Sequence, residues 1–125
     1  MTPGSRPTAV TVFAWINLGL AVQMVMLAVL FAAASTFGAL FSGDPLGDRV
    51  GGGIMGALIA MFFLAAAGVH GAACAGLLKR RRWGFYAHVV GALMEICSCW
   101  GTTYTVVAII FALQDDFRQW ALPDG

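Results

Sequence analysis

The chain has 125 residues, of which 60% are hydrophobic and 10% are charged, and its net charge is +1. Ordinary soluble domains are about half apolar and about a quarter charged, and a small domain buries only about two-thirds of the surface of its unfolded chain. The composition therefore excludes an ordinary soluble domain and indicates a membrane protein, and the near-neutral charge gives no reason to expect a nucleic-acid partner.

Two long stretches almost free of charge come first along the chain. Residues 10–41 carry no charged side chain, and residues 50–78 carry only His70. A membrane-spanning helix needs about 20 apolar residues to cross a hydrocarbon core of roughly 30 Å. Each stretch therefore predicts one transmembrane helix, over about 9–41 and 51–79. The first is predicted to be an anchor, because the apolar core of a secretory signal is only about 7–15 residues long.

The third apolar stretch, residues 83–114, is too long for one straight crossing and tight for two. We divide it at 97–101, where small polar residues, a Trp and a Gly cluster, and this predicts helices over 83–99 and 101–118. One long, bent last helix, with three spans in all, is the alternative. The prediction is a single domain, residues 1–125, that forms an all-α integral membrane four-helix bundle with short loops.

Basic residues are predicted to lie mainly on one side of this bundle. Arg6 precedes the first helix, and Arg118 follows the fourth. The run between the second and third helices consists of Lys79, Arg80, Arg81 and Arg82, followed by Trp83. Lys and Arg in short loops favour the cytoplasmic side, so both termini are predicted to be cytoplasmic and the run to be a topology signal with an aromatic belt. Binding of anionic membrane lipid by the same run is the alternative.

Two acidic residues, Asp115 and Asp116, are predicted near the C-terminus of the fourth helix. The helix macrodipole disfavours acids at that end. Pairing with Arg80, Arg81 or Arg82 on the same side of the membrane would relieve this cost.

The second helix is rich in small residues at four-residue spacing, which predicts a close helix contact. Small side chains let two helix backbones approach each other inside a membrane. The contact is either with the chain's own helices or with a second copy or another subunit, and the pattern leaves both open. The residues are Gly52, Gly56, Gly68, Ala72 and Gly76.

Glu95 is the most unusual residue of the predicted spans, because it is an isolated acid inside an apolar run. Intramembrane ionisable groups nearly always face the bundle interior and are paired, and a central charge costs about 2.5–3.5 kcal/mol to insert. We therefore predict that Glu95 points into the bundle, either protonated or hydrogen-bonded to His70, Tyr104 or a threonine. Asn17 and Gln23 on the first helix predict packing hydrogen bonds.

A polar cluster is predicted where the second and third helices meet. His88, Glu95 and Cys99 share one helix face, and His70 and Cys74, four residues apart, share another. The cluster consists of His70, Cys74, His88 and Glu95. Three alternatives remain for it: a proton or ion path, a Zn²⁺ or Cu²⁺ site, and haem held between the two histidines. The spacing matches no compact metal motif, and the histidines are offset by about one helical turn, so no cofactor is predicted.

Short motifs of the chain resemble those of small uncharacterised bacterial four-span membrane proteins. They are the Arg-Pro-x-x-Val-Thr-Val opening at 6–12, the Gly-Leu-basic-Arg-Trp turn at 76–83 and the acidic-Phe-Arg helix end at 116–118. The resemblance implies a four-span protein of a bacterial inner membrane, and it implies no established activity.

The sequence contains no nucleotide-binding loop, catalytic triad or hydrolase elbow, so no enzyme is predicted. The predicted function is that of an accessory or packing subunit of a larger membrane complex or homo-oligomer, with membrane lipids and other subunits or itself as partners. The alternative is a protein that conducts protons or ions, or carries a metal or haem, centred on Glu95, His70 and His88.

Overall fold

The computed structural model describes residues 6–97 and 101–122, and within these ranges the chain is helical, with no strand. The helices are α1 (Thr8–Phe41), α2 (Leu46–Leu78), α3 (Arg82–Met94), α4 (Gly101–Ala112) and α5 (Asp115–Ala121), and a 3₁₀ turn, Glu95–Cys97, follows α3. The all-α prediction is confirmed for these residues. By length and composition, α1 and α2 are able to cross a membrane.

Helices α1 and α2 form a long antiparallel hairpin. Their 34 and 33 residues correspond to lengths of about 50 Å at about 1.5 Å per residue. Arg49 closes the end of the hairpin, because its Nε and Nη2 atoms donate to the carbonyls of Ala39, at 2.5 Å, and Leu40, at 3.1 Å. The last carbonyls of a helix have no partner within it, so this side chain satisfies the C-terminus of α1.

The start of α2 differs from the prediction, since the helix begins at Leu46 and not at residue 51. Pro45 immediately precedes the helix with a φ of −54°, a backbone angle that suits helix entry. Asp48 lies in the first turn, where the helix macrodipole favours an acid. Local chemistry therefore extends α2 through a segment predicted to be a polar loop.

Helices α3 and α4 form a shorter antiparallel pair. Thr105 Oγ1 on α4 donates to the carbonyl of Ala92 on α3, and Thr102 Oγ1 donates to the carbonyl of Ile96 at 3.1 Å. Higher numbers on α4 thus face lower numbers on α3, so the chain reverses between them. This reversal excludes the alternative of one continuous last helix. The regular α3 ends at Met94, before the predicted end at 99, and residues 98–100 lie outside the described residues.

The predicted helix over 101–118 is wrong in one respect, because it is divided into α4 and α5. Gln114 is extended, with a ψ of 138°, and α5 starts after it. The bend places Phe117 in the interior, 1% exposed, with its ring 6.2 Å from that of Phe13 and 6.4 Å from that of Phe85. A straight α4 would carry this aromatic ring away from the core, so burial of Phe117 accounts for the break.

The bend also corrects the reasoning about Asp115 and Asp116. These exposed acids lie in the first turn of α5, where the helix dipole favours negative charge, and not at a helix C-terminus. Pairing with the basic run is therefore not needed to offset a dipole penalty.

One end of the molecule, called the base, brings together Arg6, the turn at 79–81 and α5. Arg6 Nη2 donates to the carbonyl of Leu78 at 3.0 Å, and Trp120 Nε1 donates to the carbonyl of Leu77 at 3.3 Å. Arg80 Nε donates to the carbonyl of Trp120 at 3.1 Å. The guanidinium groups of Arg6 and Arg80 lie 5.7 and 4.9 Å from the centre of the Trp120 ring, within the range of cation–π attraction. These contacts join both ends of the described chain to the C-terminus of α2.

Two glycines set the distance between α2 and α3 near the base. A Cβ atom added to Gly76 would overlap the backbone of Gly84, and one added to Gly84 would overlap the backbone of Gly76. Above this crossing lies the main apolar core, whose buried members come from all five described helices. They are Val10, Phe13, Ala14, Cys74, Leu77, Ala92, Ala108, Phe117 and Ala121.

The part of the α1–α2 hairpin farthest from the base has a different environment. Met94, the last residue of α3, packs against a small cluster that includes Met24 and Ala67. Beyond that level the large side chains of α1 and α2 are exposed; Phe37 is 65% and Met61 is 65% exposed. We call residues 28–41 and 46–62 the upper hairpin.

Candidate functional site

A chain of four buried polar side chains connects α1, α2 and the end of α3. Asn17, His70 and His88 are 0% exposed, and Glu95 is 8% exposed. Asn17 Oδ1 lies 2.9 Å from His70 Nδ1, and Asn17 Nδ2 lies 3.0 Å from His88 Nδ1. His70 Nε2 lies 3.3 Å from Glu95 Oε1. We call these four residues the polar chain; Glu95 points into the bundle and His70 is its ionic neighbour, as predicted.

The backbone of α1 determines which way the Asn17 amide faces. Asn17 Nδ2 donates to the carbonyl of Phe13 at 2.7 Å, and a carbonyl can only accept. The amide nitrogen must therefore face Phe13 and His88, and the amide oxygen must face His70. A flipped amide would set its oxygen against the carbonyl oxygen of Phe13.

This orientation assigns the protons on both histidines. Because Asn17 Oδ1 accepts, His70 Nδ1 must carry a hydrogen and donate it. Because Asn17 Nδ2 donates, His88 Nδ1 must be an unprotonated acceptor, which leaves the proton of the neutral ring on Nε2. His88 is thus neutral as long as its bond to Asn17 persists.

The other ring nitrogen, His70 Nε2, faces Glu95 Oε1 at 3.3 Å. Two arrangements of such a pair are possible: a neutral imidazole beside a protonated carboxyl group, or an imidazolium beside a carboxylate. Both forms have zero net charge, which suits a low-dielectric interior where an isolated charge is costly. Among the described residues His70 Nε2 has no hydrogen-bond partner of good geometry, so the 3.3 Å approach to Glu95 is an electrostatic contact.

A glycine on α3 makes room for the His70 ring. A Cβ atom added to Gly91 would lie 2.9 Å from His70 Cε1 and 3.0 Å from His70 Nδ1, closer than real Cβ contacts. The ring therefore lies directly against the α3 backbone, between Asn17 and Glu95. His88 packs on its other faces against aromatic rings, with centroid distances of 5.2 Å to Phe13 and 5.8 Å to Phe117.

The remaining predicted members of the cluster lie elsewhere. Cys74, also predicted for this cluster, is a buried member of the apolar core. Cys99 lies outside the described residues. No hydrogen bond joins Tyr104 to Glu95, because the buried Tyr104 hydroxyl has no hydrogen-bond partner within the described part of the chain.

The polar chain does not have the geometry of a metal or haem site. Within the described ranges, no three His, Cys, Asp or Glu side chains converge as metal ligands. Both Nδ1 atoms of His70 and His88 face Asn17, and the Nε2 atom of His70 faces Glu95. The two rings therefore do not present nitrogens to a common iron position.

The predicted packing residues of α2 divide into two groups. Gly56 is buried against the side chain of Ser35 on α1, and Gly76 is buried against Gly84 on α3. Gly52 and Gly68 are exposed, and an added Cβ atom would meet nothing within 4 Å at either position. Ala72 is half-buried. The predicted stripe is thus not one continuous contact within this chain, because the face of α2 that packs changes from α1 to α3 along its length.

The basic run lies at the base. Lys79, Arg80, Arg81, Arg82 and Trp83 are all exposed. Arg80 has a φ of +53°, the left-handed conformation that usually ends a helix with glycine. In this strained backbone conformation, the Arg80 side chain contacts Trp120. Arg80, one of the predicted topology residues, therefore also holds α5 against the bundle.

Asn17 is the residue whose importance sequence reasoning underestimated. It was predicted to make a packing hydrogen bond, whereas it is the centre of the polar chain. Two signals point to it: it is the only asparagine of the chain, and it lies in a charge-free helix. Its partners, 53 and 71 residues away along the chain, have no local signature.

Comparison with protein-family models, with curated proteins and with solved structures finds no match to this chain. The resemblance to small bacterial four-span membrane proteins therefore stays a prediction.

Proposed function

We propose that this chain is a non-enzymatic integral membrane protein of a bacterial inner membrane, and that it acts through contacts with other membrane subunits or with copies of itself. In this proposal all four longer helices are embedded in the membrane, and both termini are cytoplasmic. It is an accessory or packing subunit, and its function depends on its surface and not on a catalytic site.

The observation that supports this proposal best is the mismatch between the two helix pairs. Helices α1 and α2 extend for about 50 Å, whereas α4 has 12 residues, or about 18 Å. The upper hairpin therefore has apolar side chains on all sides without the neighbours that the rest of the bundle has. Exposed apolar surface of this extent is typical of a surface that contacts a membrane or another protein.

The base supports the proposed orientation. It collects Arg6, the basic run and α5 at one end, and positive charge in short loops favours the cytoplasmic side. The opposite end, residues 42–49, carries Asp44, Asp48 and Arg49, and its net charge is therefore −1.

Proton conduction through the polar chain is the weaker candidate. It has the support of the 3.3 Å approach between His70 Nε2 and Glu95 Oε1. However, an amide cannot pass a proton without rotating, and the Phe13 carbonyl holds the Asn17 amide in one orientation. The polar chain is better suited to joining three helices than to relaying charge.

The test is to isolate the full chain from its own membranes after a carbonate wash, followed by native mass spectrometry and by proton-flux measurements in liposomes. The proposal expects retention in the membrane, a mass larger than one chain, and no flux above protein-free liposomes. A stable monomer whose proton flux is lost in Glu95→Gln would overturn it in favour of conduction.

A further inference from the structure

The base carries most of the positive charge of the chain, and the following inference rests on the proposed membrane function. Six of the seven Lys and Arg residues lie in the base or at the first position of α3, and the described acids at this end are Asp115 and Asp116. The net charge of this end is therefore +4 among the described residues. No ion pair within the described ranges joins either acid to a basic side chain. The basic residues are Arg6, Lys79, Arg80, Arg81, Arg82 and Arg118.

Several of these positive groups lie close together at the surface. The exposed guanidinium groups of Arg6 and Arg80 lie 5.7 and 4.9 Å from the centre of the same Trp120 ring. Lys79 and Arg81 flank Arg80 and are exposed, and their side chains make no hydrogen bond or ion pair with the part of the chain that the structure describes. Like charges held this near repel one another, and phosphate oxygens accept strong hydrogen bonds from guanidinium and ammonium groups. The arrangement therefore suits a phosphate group.

An exposed apolar stripe on α3 begins directly after the basic run. Trp83, Tyr86, Val90 and Leu93 are 49%, 60%, 48% and 48% exposed, and their spacing places them on one face of the helix. The stripe is about 15 Å long at about 1.5 Å per residue, which is half of a hydrocarbon core of roughly 30 Å and so the depth of one leaflet. Its first two members are aromatic residues of the kind that lie at the headgroup level. A soluble phosphate compound would leave this stripe uncovered, whereas an acyl chain would cover it.

We propose that the base binds an anionic phospholipid of the cytoplasmic leaflet. The headgroup phosphate lies against Lys79 and Arg81, beside the cluster of Arg6, Trp120 and Arg80, and one acyl chain lies along the stripe of α3. Clusters of Lys and Arg next to a membrane helix attract anionic lipid. Because Arg80 also holds α5, the bound headgroup offsets positive charge at the point where α2, α3 and α5 meet.

The first experiment titrates the full chain, in a neutral detergent, with phosphatidylglycerol and with phosphatidylcholine of the same acyl chains, and native mass spectrometry measures the lipid-bound fraction. The proposal expects phosphatidylglycerol to bind at least tenfold more tightly. One basic side chain near an anionic surface contributes about fivefold in affinity. Lys79→Gln combined with Arg81→Gln is therefore expected to weaken phosphatidylglycerol binding by about 25-fold and to leave phosphatidylcholine binding unchanged.

A matched control makes the same change in net charge at the opposite end of the molecule. Gly43 and Gly47 are exposed, and an added Cβ atom meets nothing within 4 Å at either position. Gly43→Asp combined with Gly47→Asp is therefore expected to keep the wild-type lipid affinity, and circular dichroism checks the helix content of both double variants.

Four outcomes of this experiment would count against the proposal. Equal binding of the two lipids, or equal losses of affinity in the two double variants, would overturn the lipid site and keep the proposed function. Displacement of phosphatidylglycerol by an equal concentration of glycerol phosphate would assign the site to a soluble phosphate and overturn the lipid. Removal of the chain by carbonate from vesicles of both lipids would overturn the proposed membrane function as well.

The second experiment tests the stripe with a photo-crosslinking amino acid in the full chain, in vesicles that hold equal amounts of the two lipids. It replaces Val90 on the stripe and, as a matched control, Val106 on α4, which is 52% exposed. We expect at least threefold more phosphatidylglycerol than phosphatidylcholine among the products from Val90, and equal amounts from Val106. The enrichment at Val90 should disappear when Lys79→Gln and Arg81→Gln are added. The same lipid ratio at both positions would refute the seat of the acyl chain on α3.

Discussion

The sharpest prediction concerns the replacement Asn17→Leu, which removes the amide at the centre of the polar chain and keeps the same branched arrangement of heavy atoms. The His70 Nδ1–H group and the His88 Nδ1 lone pair both lose their partner, and both rings are fully buried. Leaving a buried polar group unsatisfied costs about 1–3 kcal/mol, although interhelical hydrogen bonds inside membranes average only about 0.6 kcal/mol. We expect a loss of about 2–4 kcal/mol of unfolding free energy for the two groups together.

The chain offers a matched control on the same helix. Gln23 also carries an amide but is exposed, so Gln23→Leu removes an amide without breaking the polar chain. The assay is reversible unfolding in mixed micelles with increasing SDS fraction, followed by circular dichroism. If Asn17→Leu and Gln23→Leu differ by less than about 0.5 kcal/mol, the magnitude typical of surface substitutions, the polar chain does not stabilise the bundle and the reasoning fails.

Three further predictions test the polar chain and the helix crossing. Nitrogen-15 NMR is expected to find neutral His88 protonated on Nε2; a proton on Nδ1 would contradict the amide orientation. His70→Ala removes the ionic neighbour of the Glu95 carboxyl group and is expected to lower the free energy of unfolding by about 3–5 kcal/mol. Adding Glu95→Ala should recover part of this loss. Strict additivity of the two effects in the double-mutant cycle would refute the pairing. Gly76→Ala should destabilise the protein by about 1–3 kcal/mol, because the added methyl group overlaps α3. Gly68→Ala, where the added methyl group enters open space, should be neutral or stabilise the protein by up to about 1 kcal/mol. Equal effects of the two substitutions in SDS unfolding would count against the close crossing.

The cost of placing an acid in an apolar run explains why the prediction for Glu95 could be made without a structure. A carboxyl group in an apolar run is expected to lie in the bundle interior beside a polar partner, because exposure to lipid is costly and partners are scarce. Only two histidines and a few hydroxyl groups lie in the apolar stretches that pack together. Counting residues along the helices to estimate their depth was therefore enough to predict His70 as the neighbour of Glu95. The part played by Asn17 could not be predicted in this way, because its partners depend on how α1 is rotated against α2 and α3.

The break between α4 and α5 marks another limit of sequence reasoning. Residues 113 and 114 are Leu and Gln, and neither is a helix breaker such as Pro or Gly. The bend exists because Phe117 reaches the core only if the chain turns there. Packing overrides local propensity at this point, and no pattern within the segment records it.

The sequence by itself determined the helical class, the two long apolar helices and the need for a partner at Glu95. These follow from composition, from the length of charge-free runs and from the cost of a charge in an apolar segment. Only the tertiary structure decided that Asn17 joins the two histidines, that Gly76 and Gly84 bring two backbones together, and that the upper hairpin extends beyond its neighbours. Those features depend on helix rotation and relative length across contacts distant in the chain, and local patterns carry no information about either.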